Sequence, residues 1–363
     1  GSRAMGQDGT APAKSGVSDG SRHLNTWQVD ALPPAYVAQL VAGALREDLE
    51  TFAAPGSGGP DAAPAPTSPS ELLDQDLSAQ LIPPEQSIWG RVVAREPMVL
   101  CGRAFVEEAF RQAAPGSVLE WRFADGDWVA KGGNSKEEDN AHFPNDPDRA
   151  HPIIFTVRGT ARRLVTAERT ALNFLQMLSG VASRAREYAA KLEGTAAMVL
   201  DTRKTIPGLR LAQKYAVRCG GGGNHRLGLH DAFLIKENHL AAFNGCIVSA
   251  VAAAKKVKPD ALVEVEVESL EELRKAIGAG VDVAMLDNFT PEMMREGVRV
   301  AAAAAAADEA DGAAKGTKRK RLALEASGDV SLETIRGVAE TGVDFVSVGA
   351  LTKSVRAQDL SMR

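Results

Sequence analysis

The sequence predicts an α/β protein in which a mixed N-terminal domain precedes a barrel of alternating strands and helices. Beyond residue 166, short β-rich runs alternate with helical runs, which is the pattern of parallel strands joined by crossover helices. Six or seven such units fit into about 200 residues, so a β/α barrel, complete or incomplete, explains them better than an open sheet. An open doubly wound sheet stays the alternative, because periodicity does not show whether a sheet closes.

Composition limits the class of protein. Of the 363 residues, 44% are hydrophobic and 25% are charged, which is ordinary for a folded chain with room for two domains. No apolar run is long enough to span a bilayer, and the N-terminus lacks the apolar stretch of a secretion signal. The net charge of −5 argues against nucleic acid as the main partner. Cys101, Cys219 and Cys246 have no paired or metal-ligand spacing, which favours a reduced, cytoplasmic protein without structural zinc.

Changes in composition also divide the chain. The predicted parts are a disordered tail (1–23), an N-terminal domain (24–167), a barrel domain (168–354) and a C-terminal segment that is a candidate to pack on the N-terminal domain (355–363). Two insertions, 52–70 and 301–321, are expected on the surface. The second insertion ends in a basic run, which we interpret as solvated rather than as a nucleic-acid site.

Each element rests on a local pattern. Ser269 with Glu272 forms a capping box, and Thr290 before Pro291 marks another helix start. The N-terminal domain is predicted to contain helices at 33–50 and 105–113, strands at 88–94, 98–101 and 118–123, and a loop at 131–152. The later part is predicted to contain a long helix at 170–192 and strands at 197–200, 232–235, 262–267, 281–286, 322–324 and 345–348.

Residues able to touch a ligand stand at or just after the end of each predicted barrel strand. They are Asp201, Lys236, Glu266, Asp287, Ser327 and Gly349. Because the active site of a barrel lies at the carboxyl ends of its strands, this register predicts an enzyme.

Cationic side chains are concentrated between residues 201 and 239, around four consecutive glycines at 220–223. They are Arg203, Lys204, Arg210, Lys214, Arg218, His225, Arg226 and Lys236. In an acidic protein this concentration predicts a pocket for a small, multiply charged anion, with glycines that let the backbone approach the ligand closely. The alternatives are a solvated loop with a surface Asp–Arg pair, a flexible glycine linker, and a Lys236 side chain that reaches solvent.

Carboxylates form a second group. They alternate with valine from 263 to 268, so three of them share one face, unless this strand is a half-exposed edge. Glu266 and Asp287 together predict Mg²⁺ beside a substrate phosphate, held largely through substrate and water. Ser327, Gly328 and Gly349 follow the last strands and are candidate phosphate donors, with a plain tight turn as the alternative.

Ten segments, in this order, resemble motifs of the quinolinate phosphoribosyltransferase family. They are Arg46–Leu49, Asp76–Ser78, Val92–Glu96, Glu168–Asn173, Asp201–Thr205, Gly222–Arg226, Lys236–His239, Glu264–Val267, Leu286–Asn288 and Ser347–Leu351. The resemblance implies an N-terminal α/β sandwich and a C-terminal incomplete α/β barrel, the type II phosphoribosyltransferase fold. It further implies a homodimer with shared active sites. The implied reaction joins quinolinate to phosphoribosyl pyrophosphate with loss of CO₂ and pyrophosphate, uses Mg²⁺, and serves de novo NAD synthesis.

The resemblance also implies roles for single residues. Arg169, Arg203, His225, Arg226 and Lys236 hold the quinolinate carboxylates. Lys204, Glu266 and Asp287 are the implied catalytic residues, with Lys204 between the two substrates and the acids facing the ribose and the Mg²⁺–pyrophosphate. The 5′-phosphate is bound by Ser327, Gly328 and Gly349. Arg95 reaches the phosphoribosyl donor in the partner's active site. Independently of the resemblance, Arg169 at the start of the long helix opposes the helix dipole, which hints at a functional reason for a cation there.

One departure and two rival functions stay open. Asp329 follows Gly328 where the family usually has glycine or asparagine, which places a negative charge near the expected phosphate. A related phosphoribosyltransferase could act on nicotinate or another pyridine, although the number of cations favours a dicarboxylate. A catalytically silent relative is the third reading, against which Lys204, Glu266 and Asp287 argue.

Overall fold

The structure is a computed structural model that describes residues 28–50, 69–134, 136, 139, 142–143, 147–315 and 321–363. The predicted tail 1–23, most of the insertion 52–70 and the basic residues 318–320 lie outside the described residues. The described chain forms two compact units. The first unit comprises residues 194–198 and 229–346, and the second comprises residues 28–193, 199–228 and 347–363.

Strands and helices alternate from the middle of the chain onward. The strands are β1 (Ser87–Ala94), β2 (Met98–Val99), β3 (Val118–Trp121), β4 (Trp128–Val129), β5 (Ile153–Thr160), β6 (Met198–Leu200), β7 (Ala232–Ile235), β8 (Leu262–Val267), β9 (Val283–Asp287), β10 (Ala323–Ser327), β11 (Phe345–Ser347) and β12 (Leu360–Met362). The α-helices are α1 (Pro34–Leu49), α2 (Pro69–Leu73), α3 (Arg103–Ala113), α4 (Ala161–Lys191), α5 (Arg210–Cys219), α6 (Glu237–Ala241), α7 (Ile247–Val257), α8 (Leu270–Ala279), α9 (Pro291–Lys315), α10 (Ile335–Ala339) and α11 (Ala350–Lys353). In the part of the chain that the structure describes, no helix combines the length and the apolar character needed to cross a lipid bilayer.

The second unit contains a four-stranded antiparallel sheet and helices that bury apolar faces. The strand order is β12-β1-β5-β3, so the C-terminal strand adds to the edge of β1 with Val92 opposite Met362. Helices α3 and α4 pack together, and the rings of Phe105 and Phe174 stack with centroids 4.5 Å apart. Mixed helices and antiparallel strands in this unit agree with the α+β character that the sequence predicts.

Two features of the second unit differ from the sequence expectation. The pattern does not predict β5, although its first five residues are buried and it pairs with both β1 and β3. Helix α4 begins at Ala161 rather than at Thr170, directly after β5. No turn residues separate the strand from the helix, so the usual signals of a boundary are missing. Because Arg169 lies inside α4 rather than at its start, the argument from the helix dipole is wrong.

The parallel strands have the order of an incomplete barrel. They are arranged β6-β11-β10-β9-β8-β7, so consecutive strands from β7 to β11 are adjacent in the sheet. Strands β6 and β11, the first and last parallel strands along the chain, are joined by two hydrogen bonds. One runs from the Met198 N–H to the Asp344 carbonyl (3.0 Å) and the other from the Val348 N–H to the Leu200 carbonyl (2.9 Å). A doubly wound sheet reverses its strand order at a switch point, so that alternative is wrong. Strand β8 pairs with β7 and β9, so it is not an edge strand.

The four glycines at 220–223 serve packing and chain reversal at the end of α5. A side-chain Cβ on Gly220 would lie 2.2 Å from the Ala182 carbonyl oxygen and 2.6 Å from the Ala185 Cβ of α4. Gly221 has φ +91°, which favours glycine, and a Cβ on Gly222 would lie 2.8 Å from Val217 Cγ1. Packing and backbone conformation therefore explain these three glycines, and close approach of a ligand to the backbone is not required to explain them.

We predict that Gly220→Ala destabilises the protein by about 3 kcal/mol, because the added methyl group overlaps main-chain atoms of α4 that cannot move away cheaply. Urea unfolding followed by circular dichroism measures the change. Gly43→Ala is the matched control: Gly43 lies in α1, where an added methyl group would meet no other atom within 4 Å, so alanine there should stabilise by about 0.5–1 kcal/mol. Equal effects of the two substitutions would contradict the packing argument.

Candidate active site

Four strand ends of the first unit carry the residues that the sequence places at a barrel rim. Lys236 directly follows β7, Glu266 is the next-to-last residue of β8, and Asp287 and Ser327 end β9 and β10. Asp287 and Ser327 are register partners, and the Lys236 ammonium forms an ion pair with the Glu266 carboxylate. The expected register of polar residues at the strand ends of this unit is confirmed.

Burial and charge set the protonation of Glu266. Its side chain is 9% exposed, and this burial raises the pKa of the Glu266 carboxyl above its usual range. The ammonium of Lys236 works in the opposite direction and lowers the pKa, whereas the nearby carboxylate of Asp287 raises it again. Glu266 and Asp287 repel one another at adjacent strand ends, and Lys236 pairs with Glu266. Two neighbouring carboxylates with one lysine form a site that is suited to a further cation.

The loops after β9 and β10 adopt backbone conformations that restrict their residues. Gly328 has φ +104°, and a Cβ there would lie 2.7 Å from the side-chain oxygen of Asn288. Asp329 has φ 35°, in the left-handed region that glycine, asparagine and aspartate tolerate best. Asp329 thus meets the same conformational demand as the glycine or asparagine usual in the family, and what it adds is a charge.

A buried network in the second unit joins β6, α5 and the segment that follows the glycines. The carboxylate of Asp201 and the ammonium of Lys214 form an ion pair in which both side chains are 0% exposed. The carboxylate also accepts hydrogen bonds from Asn224 Nδ2 (2.7 Å) and from the His225 N–H (2.9 Å). Lys214 in turn donates to the His225 carbonyl (2.8 Å).

This network corrects two sequence-based interpretations. Asp201 does not present its carboxylate at a rim, and Lys214 does not present a cation to a ligand. The two side chains form a buried ion pair with each other. Burial raises the pKa of Asp201, and the contacts with Lys214, Asn224 and the His225 N–H lower it. The alternative of a surface Asp201–Arg203 pair is also wrong, since Asp201 is fully buried. Sequence spacing could not reveal this, because a buried partner on another element leaves no local signal.

The network fixes His225 and Arg226. The Arg226 N–H donates to His225 Nδ1 at 2.8 Å, so in the neutral imidazole the proton is carried by Nε2. Both residues are buried, at 5% and 9% exposure. The fixed main chain therefore determines both the tautomer of the histidine and the direction from which the arginine leaves the backbone.

Arg203, Lys204 and Gly349 form a third group. The Lys204 N–H donates to Thr202 Oγ1 (3.0 Å), and the Lys204 carbonyl accepts from Thr352 Oγ1 (2.8 Å). A Cβ on Gly349 would lie 3.0 Å from the Lys204 Cδ, so glycine leaves room for the lysine side chain. Among the described residues, the buried Nε of Arg203 has no hydrogen-bond partner. A guanidinium with an unused donor is suited to an anion.

The other predicted cations have different environments. Arg169 is exposed on α4. Arg95 follows β1 and reaches Asp148 at 3.4 Å. Arg210 donates to Thr205 Oγ1 (3.1 Å) and Arg218 to Asp30 Oδ1 (3.2 Å), so both are engaged within the fold.

A parallel barrel with acids at its strand ends, in a chain that also carries ordered arginine and lysine loops, is the architecture of an α/β barrel enzyme. The profile described as the quinolinate phosphoribosyl transferase N-terminal domain matches residues 76–179, and that of the C-terminal domain matches residues 181–363. The chain belongs to the quinolinate phosphoribosyltransferase family.

Individual relatives agree with this assignment. The probable nicotinate-nucleotide pyrophosphorylase (carboxylating) of Bacillus subtilis strain 168 is 36% identical over 288 residues, which cover 79% of this chain and 87% of the relative. The Mycobacterium leprae nicotinate-nucleotide pyrophosphorylase (carboxylating) is 37% identical over 292 residues, with 79% and 90% coverage. A solved structure of nicotinate-nucleotide pyrophosphorylase from Francisella tularensis has a TM-score of 0.75 and 38% identity, covering 93% of this chain and 99% of that chain. The predicted type II phosphoribosyltransferase fold is confirmed.

We predict that Lys236→Met raises the pKa of Glu266 further, because the lysine is what lowers it. A carboxyl with a raised pKa contributes stability below its unfolded value and loses that contribution as pH rises through the folded value. The variant should therefore lose about 1–2 kcal/mol of unfolding free energy at pH 7 and less at pH 4. Carbon-13 NMR titration of glutamate carboxyls and urea unfolding at both pH values measure the two effects.

Lys275→Met is the matched control for this prediction. Lys275 pairs with Glu271 on α8 at 2.8 Å, but both side chains are more than half exposed, at 53% and 77%. Its removal should leave the Glu266 titration unchanged and should not measurably change the unfolding free energy at either pH. A Glu266 pKa that falls or stays constant in Lys236→Met contradicts the assigned electrostatics.

Proposed function

We propose that the chain transfers the phosphoribosyl group of phosphoribosyl pyrophosphate to quinolinate with decarboxylation. The products are nicotinate mononucleotide, pyrophosphate and CO₂, and the reaction belongs to de novo NAD biosynthesis. The observation that carries this proposal is family membership across both domains, in a chain that retains a chemically suitable side chain at every position implied by the motifs.

The anionic substrate is bound by cations that the fold holds in order. Quinolinate carries two carboxylates, and arginine binds a carboxylate through two parallel N–H groups. Arg203 has an unused buried donor, and His225 and Arg226 are fixed by the Asp201–Lys214 network. We assign these three residues, with Arg169 and Lys236, to quinolinate.

The transfer step requires stabilisation of positive charge on the ribose and of negative charge on the leaving group. Departure of pyrophosphate from C1′ leaves an oxocarbenium-like ribose, which the carboxylates of Glu266 and Asp287 stabilise electrostatically. The quinolinate nitrogen supplies the electron pair of the new C1′–N bond. Lys204 neutralises charge between the two substrates, and its side chain has room because residue 349 is glycine. No protein nucleophile is needed.

Decarboxylation follows from the charge created by the transfer. Once the nitrogen is bonded to C1′, the pyridinium ring accepts the electron pair released when the adjacent C–CO₂ bond breaks. A proton then takes the position of the lost carboxylate. The protein contributes by holding the second carboxylate of the pyridine ring, the one that is not lost. Arginine donors are suited to bind this group.

The first unit has the donor set for Mg²⁺. Glu266 and Asp287 offer oxygen ligands at adjacent strand ends, and burial, together with the nearby carboxylate of Asp287, raises the pKa of Glu266. We propose that these residues hold the ion largely through substrate and water, and that its chemistry when bound is to offset the charge of the departing pyrophosphate. Ser327, Gly328 and Gly349 are proposed for the 5′-phosphate. EDTA should stop turnover, and added Mg²⁺ should restore it.

We further propose a cytoplasmic homodimer with shared active sites. The free state of Cys101, Cys219 and Cys246 supports a reducing compartment. Support for the dimer is the family resemblance, in which Arg95 serves the active site of the partner. An exposed Arg169 on α4 and a partly exposed Arg95 are accessible for such a role.

We predict that Arg203→Ala raises the KM for quinolinate by at least about 100-fold, because the ligand loses a charge-assisted pair of hydrogen bonds. Product formation is followed as nicotinate mononucleotide by chromatography, with CO₂ and pyrophosphate measured in parallel. Arg184→Ala removes an exposed pair with Glu187 on α4 and should leave the KM unchanged.

The same assay separates the rival functions. In a competition assay, the wild-type protein receives quinolinate and nicotinate together. Product formed from nicotinate without CO₂ release would show that nicotinate, and not quinolinate, is the substrate. Absence of pyrophosphate and CO₂ with both substrates and Mg²⁺ would show a catalytically silent relative.

We predict that Arg95→Ala and Arg203→Ala chains complement each other. If Arg95 serves the partner's site, a mixed dimer contains one site with neither substitution, so co-expressed chains recover activity that each variant alone lacks. Sedimentation analysis verifies that each variant forms the wild-type oligomer. Activity of the mixture equal to the sum of the two variants would rule out the shared site.

A further inference from the structure

Residues Gln28–Asp30, which lie a few positions before α1, make contacts at both ends of the glycine turn (residues 220–223). At the C-terminal end, the Val29 N–H donates to Asn224 Oδ1 at 2.9 Å in a buried environment. At the N-terminal end, Asp30 Oδ1 accepts from Arg218 Nε (3.3 Å) and Nη2 (3.2 Å). Arg218 Nη1 also donates to the Gly222 carbonyl (3.0 Å), so the arginine joins segment 28–30 to the turn itself.

Asn224 is the central residue of these contacts. It is 0% exposed, and its side chain uses the acceptor and both donors of the amide group. Oδ1 accepts from Val29, while Nδ2 donates to Asp201 Oδ2 (2.7 Å) and to the Lys214 carbonyl (2.9 Å). The Val29 N–H requires an acceptor, which fixes the orientation of the amide. The side chain of Asn224, directly before His225, thus connects segment 28–30 with Asp201 after β6 and with Lys214 of α5.

The residue that follows Asn224 carries the proposed substrate contacts. His225 is held through its N–H by Asp201 and through its carbonyl by Lys214, the two residues that Asn224 also contacts. Neither Asn224 nor Asp30 is among the residues assigned to quinolinate. Their contacts can affect the ligand only by holding the main chain of His225 and Arg226.

We propose that Asn224 and Asp30 are positioning residues for the pyridine dicarboxylate, and that segment 28–30 is part of the binding apparatus of this enzyme. This inference rests on the proposed function, because it needs His225 and Arg226 to meet the substrate carboxylates. A fixed donor pair binds without the entropy loss of ordering a loop, and small displacements of such groups are costly. Substrate binding should therefore depend on contacts that never touch substrate.

The main test compares Asn224→Ala with Asn134→Ala in the full chain. Asn134 is a matched control in the same unit, because its amide also forms two hydrogen bonds with the main chain: it donates to the Ile153 carbonyl (3.1 Å) and accepts from the Ile153 N–H (2.7 Å). Both variants should unfold at lower temperature. Asn224→Ala should raise the quinolinate KM about 10-fold and leave the phosphoribosyl pyrophosphate KM within about twofold. Asn134→Ala should change neither constant by more than about twofold.

Asp30 supplies a test that does not depend on a buried substitution. The Asp30 side chain is 73% exposed, so Asp30→Ala should fold normally. It should raise the quinolinate KM about threefold with little change in thermal unfolding, and Asp30→Glu should recover part of the loss. Glu187→Ala, which removes another exposed pair of the second unit, should change neither the quinolinate KM nor the thermal unfolding.

The outcomes separate this inference from the proposed function. If wild-type protein forms nicotinate mononucleotide but Asn224→Ala and Asp30→Ala keep the wild-type quinolinate KM, the positioning role is overturned and the function stands. Equal rises in the KM of both substrates would also overturn it, since they indicate a general loss of order. If wild-type protein neither binds nor converts quinolinate by calorimetry and product assay, the function fails and the inference fails with it.

Discussion

The buried ion pair between Asp201 and Lys214 is the constraint on which the position of the segment with His225 and Arg226 depends. Removing two charges from water costs several kcal/mol each, and their attraction offsets this only when the remaining hydrogen-bonding capacity is satisfied. Here Asn224 and the main chain of His225 supply those bonds. Burial raises the pKa of Asp201, and the contacts with Lys214, Asn224 and the His225 N–H lower it. Because a buried ion pair is weak evidence for stability, this pair is better explained by the position that it imposes on the main chain of His225.

Sequence patterns predicted the barrel well because its signals are local and repeated. The strands of the first unit are short and rich in apolar residues, and most of them end at or near a polar residue whose type is unusual inside a barrel. Lys236, Glu266 and Asp287 stand out for this reason, and the parallel register places them at one set of strand ends. Periodicity alone could not decide whether the sheet closes, because that depends on pairing between strands such as β6 and β11, which are far apart in sequence.

Other features were missed because their cause is non-local. Strand β5 runs directly into α4 without a turn, so neither boundary carries its usual signal. The sequence pattern predicts Lys214 as a ligand-binding cation, because charge and spacing do not distinguish a side chain that faces a ligand from one that faces a buried aspartate. The glycine turn was interpreted as open backbone for the same reason: the atoms that exclude a side chain at Gly220 belong to α4, more than thirty residues earlier in the sequence.

The two units handle their charges in different ways, and the difference bears on binding energy. Lys236 and Glu266 neutralise one another before any substrate arrives, so a ligand that recruits either must first weaken an existing pair. Arg203 differs, because its buried Nε has no partner among the described residues. An unsatisfied buried donor costs free energy, and an anion that accepts its hydrogen bond removes that cost. If Arg203 binds an anion as proposed, it gains a hydrogen bond that its Nε otherwise lacks, whereas the Lys236–Glu266 pair exchanges one favourable contact for another.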